Sequence, residues 1–150
     1  LVAGEPWGAV GRELRRRLAD PALRRRVVAR LEWLPEAEAA TWFAAADLAV
    51  LPYRSATGSA VAAQVLAHGL PVVGSRVGGI AEVIEDGVNG VLVPPGDPAA
   101  LAAALVRLCD RDERSRLADG ARAAAARWSW DSYADVLEEL VRTVSSGVTK

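Results

Sequence analysis

The 150-residue sequence predicts an α/β fold, a Rossmann-like doubly wound parallel sheet with helices on both faces. Three observations point there. Short apolar runs rich in β-branched residues alternate with longer segments of helical spacing. Between Asp47 and Gly79 lies a complete strand–helix–strand unit, with the small-residue loop Ser55-Ala56-Thr57-Gly58-Ser59 opening its helix. A composition of 51% hydrophobic and 25% charged residues belongs to a chain that buries a core.

Taken in order, Leu1-Val2-Ala3 reads as a short strand ended by Gly4. The chain starts inside that strand and has no initiator methionine, so it reads as a piece of a longer polypeptide. The spacing of Val10, Leu14 and Leu18 predicts an amphipathic helix over Gly8 to Leu18, with Arg15, Arg16 and Arg17 at the end where its dipole favours cations. Pro21 closes a turn, and Arg24-Arg25-Arg26 leads into a strand over Val27 to Leu31. Pro35 suits a first helical turn, and that helix runs to about Ala46 with Trp42 and Phe43 inward.

The central unit follows. Leu48 to Leu51 reads as a buried strand closed by Pro52, and the next helix carries Val61, Val65 and Leu66 on one face. Gly69 stops it, and Leu70-Pro71-Val72-Val73 reads as the following strand. A short helix over Gly79 to Glu85 places Ile80, Val83 and Ile84 on one side. Asp86-Gly87 and Asn89-Gly90 are turn dipeptides before a last strand, Val91 to Val93. After Pro94-Pro95-Gly96, Asp97 caps a helix with Pro98 at its first position and Leu101, Leu105 and Leu108 as its buried stripe. A further helix spans about Arg111 to Arg127. Ser129 can cap the final one, whose stripe of Trp130, Tyr133, Leu137, Leu140, Val141 and Val144 needs a packing partner. The domain ends near Val144, and residues 145–150 read as a flexible tail.

Several function classes are excluded or disfavoured by what the chain contains. A net charge of −1 argues against nucleic acid as the main partner. The one cysteine, Cys109, rules out an internal disulfide or a cysteine-built zinc site, and its helical position predicts a buried, inert thiol. The one histidine, His68, falls near the end of the central helix, far from the ligand-facing start, and reads as a packing or surface residue. No metal-ligand spacing, hydrolase elbow or P-loop occurs, and no run reaches the ~18 apolar residues of a membrane span. A cytoplasmic setting fits. The two arginine runs read as a solvated face, with a peripheral contact at the inner face of a membrane as the second reading.

The loop after the strand at 48–51 points a helix N-terminus outward from the carboxyl end of a parallel sheet, where such folds bind ligands. Its free amides and positive dipole end suit a phosphate. Thr57, Gly58, Ser59 and Ala60 would supply backbone amides and two hydroxyls, although Thr57 or Ser59 as a plain N-cap explains the loop equally well. Gln64 either bonds a ligand hydroxyl or is a surface glutamine. Val77-Gly78-Gly79 is a second glycine turn at the end of the adjacent strand.

Longer stretches resemble a known family. Leu34-Pro35, Ala44 through Pro52, Ala67-His68-Gly69-Leu70-Pro71-Val72-Val73, Val77 through Ile84, Asp86 through Asp97 and Trp128-Ser129-Trp130-Asp131 resemble, in order, the C-terminal lobe of GT-B glycosyltransferases of family 4, the glycosyl transferases group 1. The resemblance implies a retaining transferase whose lobe over residues 1–144 binds a nucleotide-diphosphate sugar such as a UDP- or GDP-sugar, with no other cofactor and no metal. It places the nucleobase on backbone near Trp33 and Leu34, and the diphosphate at Thr57, Gly58, Ser59 and Ala60. The family's two motif glutamates match Ala56 and Gln64 here, so the acids are absent. A subgroup with Thr-Gln-Ser-Gly at this point is closer, with Gly58 and Ala60 replacing its glutamine and glycine. The family's donor-phosphate Arg and Lys belong to a strand–helix unit that would precede Leu1, and the acceptor belongs to an N-terminal lobe. No catalytic residue is expected on this lobe. The alternative from another class is a non-catalytic GT-B-like scaffold or interaction domain.

Overall fold

The structure, a computed structural model, describes residues 1–127 and 130–147. The chain forms two compact units, Leu1–Ala46 and Asp47–Lys150.

In the first unit, β1 (Val2–Ala3) and β2 (Ala29–Arg30) pair in parallel, Val2 opposite Ala29. Helices α1 (Gly8–Leu18), α2 (Pro21–Arg24) and α3 (Glu36–Ala44) complete it. The turn expected at Pro21 is a helical turn: the Asp20 carboxylate accepts from the Ala22 amide at 2.8 Å, and Pro21 sits at the first position. Because the Arg26 and Val27 amides then donate to Leu23 O, β2 cannot begin at Val27 as expected. On α1, Leu14 and Leu18 are half-buried but Val10 is 78% exposed, so the apolar stripe is covered only toward its end. Arg16 and Arg17 both bond Glu13, at 2.8 and 2.7 Å, and hold its carboxyl down to about 2. Trp42 and Phe43 are half-buried.

In the second unit β3 (Ala49–Leu51), β4 (Val72–Ser75) and β5 (Gly90–Val93) form a parallel sheet in the order β3-β4-β5, with Val50 opposite Val73 and Val73 opposite Val91. Every residue of β4 and β5 is buried, as strands covered on both faces must be. Helix α6 (Pro98–Arg107) covers one face, where Val73, Val91 and Val93 pack with Ala104, Leu108 and, from α7 (Arg111–Arg127), Leu117. On the other face lie α4 (Ala60–Ala67) and α5 (Gly78–Val83); a methyl at Gly74 would stand 2.8 Å from Ile80 Cγ2. The doubly wound parallel architecture expected from the sequence is therefore present, with one parallel sheet in each unit.

Other boundaries differ for local reasons. β4 starts at Val72, two residues later than expected, because the Gly69 and Leu70 amides turn back to cap α4 on Leu66 and Val65 carbonyls. On α4 the buried residues are Ala62, Val65 and Leu66, while Val61 is exposed. Cys109 is exposed rather than buried: α6 ends at Arg107, and the inward position passes to Leu108. Asp97 caps α6 as expected, accepting from Ala99 and Ala100 at 3.0 and 2.9 Å.

The final helix, α8 (Trp130–Gly147), leaves Tyr133, Val136, Leu137, Leu140, Val141 and Val144 exposed. The cap expected at Ser129 lies outside the described residues, as do residues 148–150 of the expected tail.

Asn89 fixes the α5–β5 turn. It is 1% exposed, accepts from the Glu85 amide at 2.8 Å and donates to Val83 O at 3.3 Å. Asn89→Ala should cost about 2–3 kcal/mol by removing a buried side chain and leaving the part-buried Glu85 amide and Val83 carbonyl without these bonds. Denaturant unfolding checks this, and a loss under about 0.5 kcal/mol would show that the turn holds without Asn89.

Candidate functional site

The β3–α4 and β4–α5 connections both leave the sheet at its carboxyl edge, side by side because β3 and β4 are neighbours. Ser59 is the N-cap of α4, and its hydroxyl accepts from the Ala62 amide at 3.1 Å. That bond satisfies one of the first-turn donors and leaves those of Ala60 and Val61 without a partner inside the helix. The same bond supports the N-cap reading of Ser59 without excluding a ligand on the two remaining amides. Thr57, Gly58 and Ala60 are exposed and Ser59 is half-buried.

The second glycine turn presses against this loop. A side chain at Gly79 would overlap Gly58 Cα and stand 2.8 and 2.9 Å from Gly58 C and N. One at Gly78 would overlap the Ala56 carbonyl oxygen and approach its carbon to 3.1 Å. Two backbones approach as closely as glycine permits, and this contact sets the depth of the loop against α5.

Thr57, Gly58, Ser59, Ala60, Gly78 and Gly79 are thus brought together. Gln64 is on the same helix but exposed, on the side away from Ala62, Val65 and Leu66. Trp33, 72% exposed, and half-buried Leu34 belong to the first unit. His68 caps the far end of α4, its Nδ1 2.8 Å from Gln64 O, away from the loop as expected.

Arg54 escaped the sequence reading. It is exposed, is the single charged residue between Pro52 and Ser59, and no described carboxylate pairs with it. The available signal was a lone cation on a loop otherwise made of small and neutral residues. Arg76, at the end of β4, is instead engaged, bonding Asp86 at 2.7 Å. The Leu92 amide donates to Asp86 at 2.9 Å and, with Arg76, holds that carboxyl below its usual range against the opposing effect of burial.

A depression of about 540 Å³ lies at the opposite end of α5, lined by Ala81, Glu82, Val83, Ile84, Glu85, Asn89 and Arg127. Glu82 and Glu85 outnumber Arg127 in its lining, which gives it the wrong sign for a phosphate. Among the described residues no group of histidines, cysteines and carboxylates is placed to hold a metal ion, and no helix is long and apolar enough to cross a membrane.

Neighbouring parallel strands, glycine-set loops at their carboxyl edge and an outward helix N-terminus define a Rossmann-like lobe, matching the C-terminal domains of GT-B glycosyltransferases. The model of the family described as "Glycosyl transferases group 1" matches residues 1–111. The chain belongs to that family. A D-inositol 3-phosphate glycosyltransferase from Xylanimonas cellulosilytica is 47% identical over 96 residues, 63% of this chain and 23% of that protein. One from Corynebacterium urealyticum is 36% identical over 148 residues, 96% of this chain and 35% of its own. The chain thus spans about a quarter to a third of the length of these curated relatives.

Among solved structures, sucrose-phosphate synthase from Thermosynechococcus elongatus superposes with a TM-score of 0.77 at 29% identity, covering 93% of this chain and 35% of that one. Anabaena HepE in complex with UDP-glucose superposes with a TM-score of 0.74 at 26% identity, covering 96% and 40%.

Proposed function

We propose that this chain is the donor-binding lobe of a retaining glycosyltransferase of family 4, in a variant without the two-glutamate motif. It holds a nucleotide-diphosphate sugar, a UDP- or GDP-sugar, while an N-terminal lobe of the same polypeptide brings the acceptor. The observation that carries this reading is the Ser59-capped start of α4, against which Gly78 and Gly79 press, with the first-turn amides of Ala60 and Val61 left without a partner inside the helix. HepE, part of which superposes on this chain and which was solved in complex with UDP-glucose, supports the donor class.

In this reading the diphosphate meets Thr57, Gly58, Ser59 and Ala60, with Arg54 as the nearest cation in sequence. Backbone at Trp33 and Leu34 takes the nucleobase, and Gln64 takes a ribose hydroxyl. Transfer then rests on holding the donor and stabilising the departing diphosphate rather than on a nucleophile borne by this lobe. No divalent cation is needed on this lobe.

Calorimetric titration of UDP, GDP and ADP, and of their sugars, into the full-length protein is the test. Binding of one nucleotide names the base. No binding to any by a folded protein would move the assignment to the non-catalytic scaffold, which Ala56 favours because its methyl cannot bond a sugar hydroxyl. Gln64→Ala should weaken the bound nucleotide by about 1 kcal/mol, roughly fivefold, as one lost hydrogen bond would. An unchanged affinity would return Gln64 to the surface.

A further inference from the structure

Charge is unevenly spread along the chain. Residues 12–26 hold seven arginines (Arg12, Arg15, Arg16, Arg17, Arg24, Arg25 and Arg26) against Glu13 and Asp20, a net +5. The chain's net −1 therefore leaves −6 on all remaining residues. The structure gathers this excess at one corner of the first unit, where the last turn of α1 packs against α2 and the chain leaves α2 through Arg25 and Arg26.

Glu13 neutralises part of the charge through its bonds to Arg16 and Arg17, and Arg15 donates to Leu31 O at 3.3 Å. Arg12, Arg24, Arg25 and Arg26 are exposed, with no described carboxylate in ion-pair reach. A surface built only for solubility intersperses the two signs, whereas Arg24, Arg25 and Arg26 form a run of one sign with no carboxylate between them. Arginine makes up 17 of the chain's 18 basic residues, so it is the clustering and not the residue type that marks this corner; guanidinium groups are able to bond phosphate oxygens as a fork. Leu23, 39% exposed, and Val28, 62% exposed, flank the run and add apolar side chains to the corner.

We propose that this arginine corner docks the protein on membranes bearing anionic phospholipid, with Arg24, Arg25 and Arg26 on headgroup phosphates and Leu23 at the headgroup–acyl boundary. The contact is peripheral: among the described residues no helix can cross a bilayer. Exposed arginines beside two isolated aliphatic side chains fit a surface held by charge with shallow insertion. The corner is separate in sequence from the loop assigned to the donor, so membrane binding and nucleotide binding are independently removable.

Sedimentation of the full chain with vesicles of phosphatidylcholine, with and without 30% phosphatidylglycerol, tests the proposal. Binding should require the anionic lipid and disappear in 0.5 M NaCl. Each arginine near the surface is worth about fivefold, so the triple variant Arg24→Gln, Arg25→Gln, Arg26→Gln should lose about a hundredfold in vesicle affinity. The charge-matched control Arg111→Gln, Arg122→Gln, Arg142→Gln should retain most of it. Equal loss in both triples would assign the effect to overall charge and overturn the proposal. So would absence of anionic-vesicle binding, with or without binding to a single-stranded RNA assayed in parallel. Circular dichroism of both triples, each expected to match the parent, separates lost docking from lost folding.

Discussion

Ser59→Asp should weaken nucleotide-diphosphate binding at least a hundredfold while leaving the thermal midpoint nearly unchanged. Aspartate is as good an N-cap as serine, so the bond to the Ala62 amide survives and α4 keeps its start. The negative charge even favours the positive end of the helix, so folding loses nothing. What changes is the reception of a second anion. A carboxylate about 5 Å from a phosphate, at an effective dielectric of about 20, opposes it by about 3 kcal/mol per unit charge, and a diphosphate carries more than one. Titration calorimetry and thermal unfolding on the same preparation separate the two effects. An affinity equal to that of the parent would end the assignment of this helix start to phosphate.

Gly79→Ala should lower stability by about 2–3 kcal/mol and the thermal midpoint by about 5–10 °C. The new methyl meets Gly58 backbone, not the flexible end of a side chain, so relief requires the whole β3–α4 loop to withdraw from α5. Nucleotide affinity should fall with it, because the amides of Ala60 and Val61 move with the loop. Gly58→Ala is the control: a methyl there finds nothing within 4 Å. If the two variants unfold at the same temperature, the two loops do not meet as described.

The elements that were legible in the sequence are those whose start or stop is written into a local bond. Asp97-Pro98 announces α6 because one side chain satisfies two amides of the first turn, and Ser59 announces α4 in the same way. The adjacency of the two glycine turns followed from parallel neighbours in a sheet. Positions settled by packing were not legible. Val61 and Val65 are chemically alike, yet only Val65 is buried, on a helix that packs against α7 and β4. Cys109 and Leu108 differ by one residue, and the end of α6 at Arg107 decides which turns inward. In the site, the glycines spoke for a close backbone approach but not for its partner: nothing in Val77-Gly78-Gly79 names Ala56 and Gly58 as the atoms they admit. Arg54 was passed over because an isolated cation has no pattern; its significance lies in having no ion-pair partner among the described residues, which is a property of three dimensions.

The exposed thiol has a practical corollary. With one cysteine in the chain, and that one accessible just past the end of α6, a maleimide dye or spin label attaches at a single defined position in the second unit. Unlabelled, the same atom invites covalent pairing between two copies when reductant is exhausted, and ageing preparations would then show a doubled mass on non-reducing gels that thiol reagents reverse.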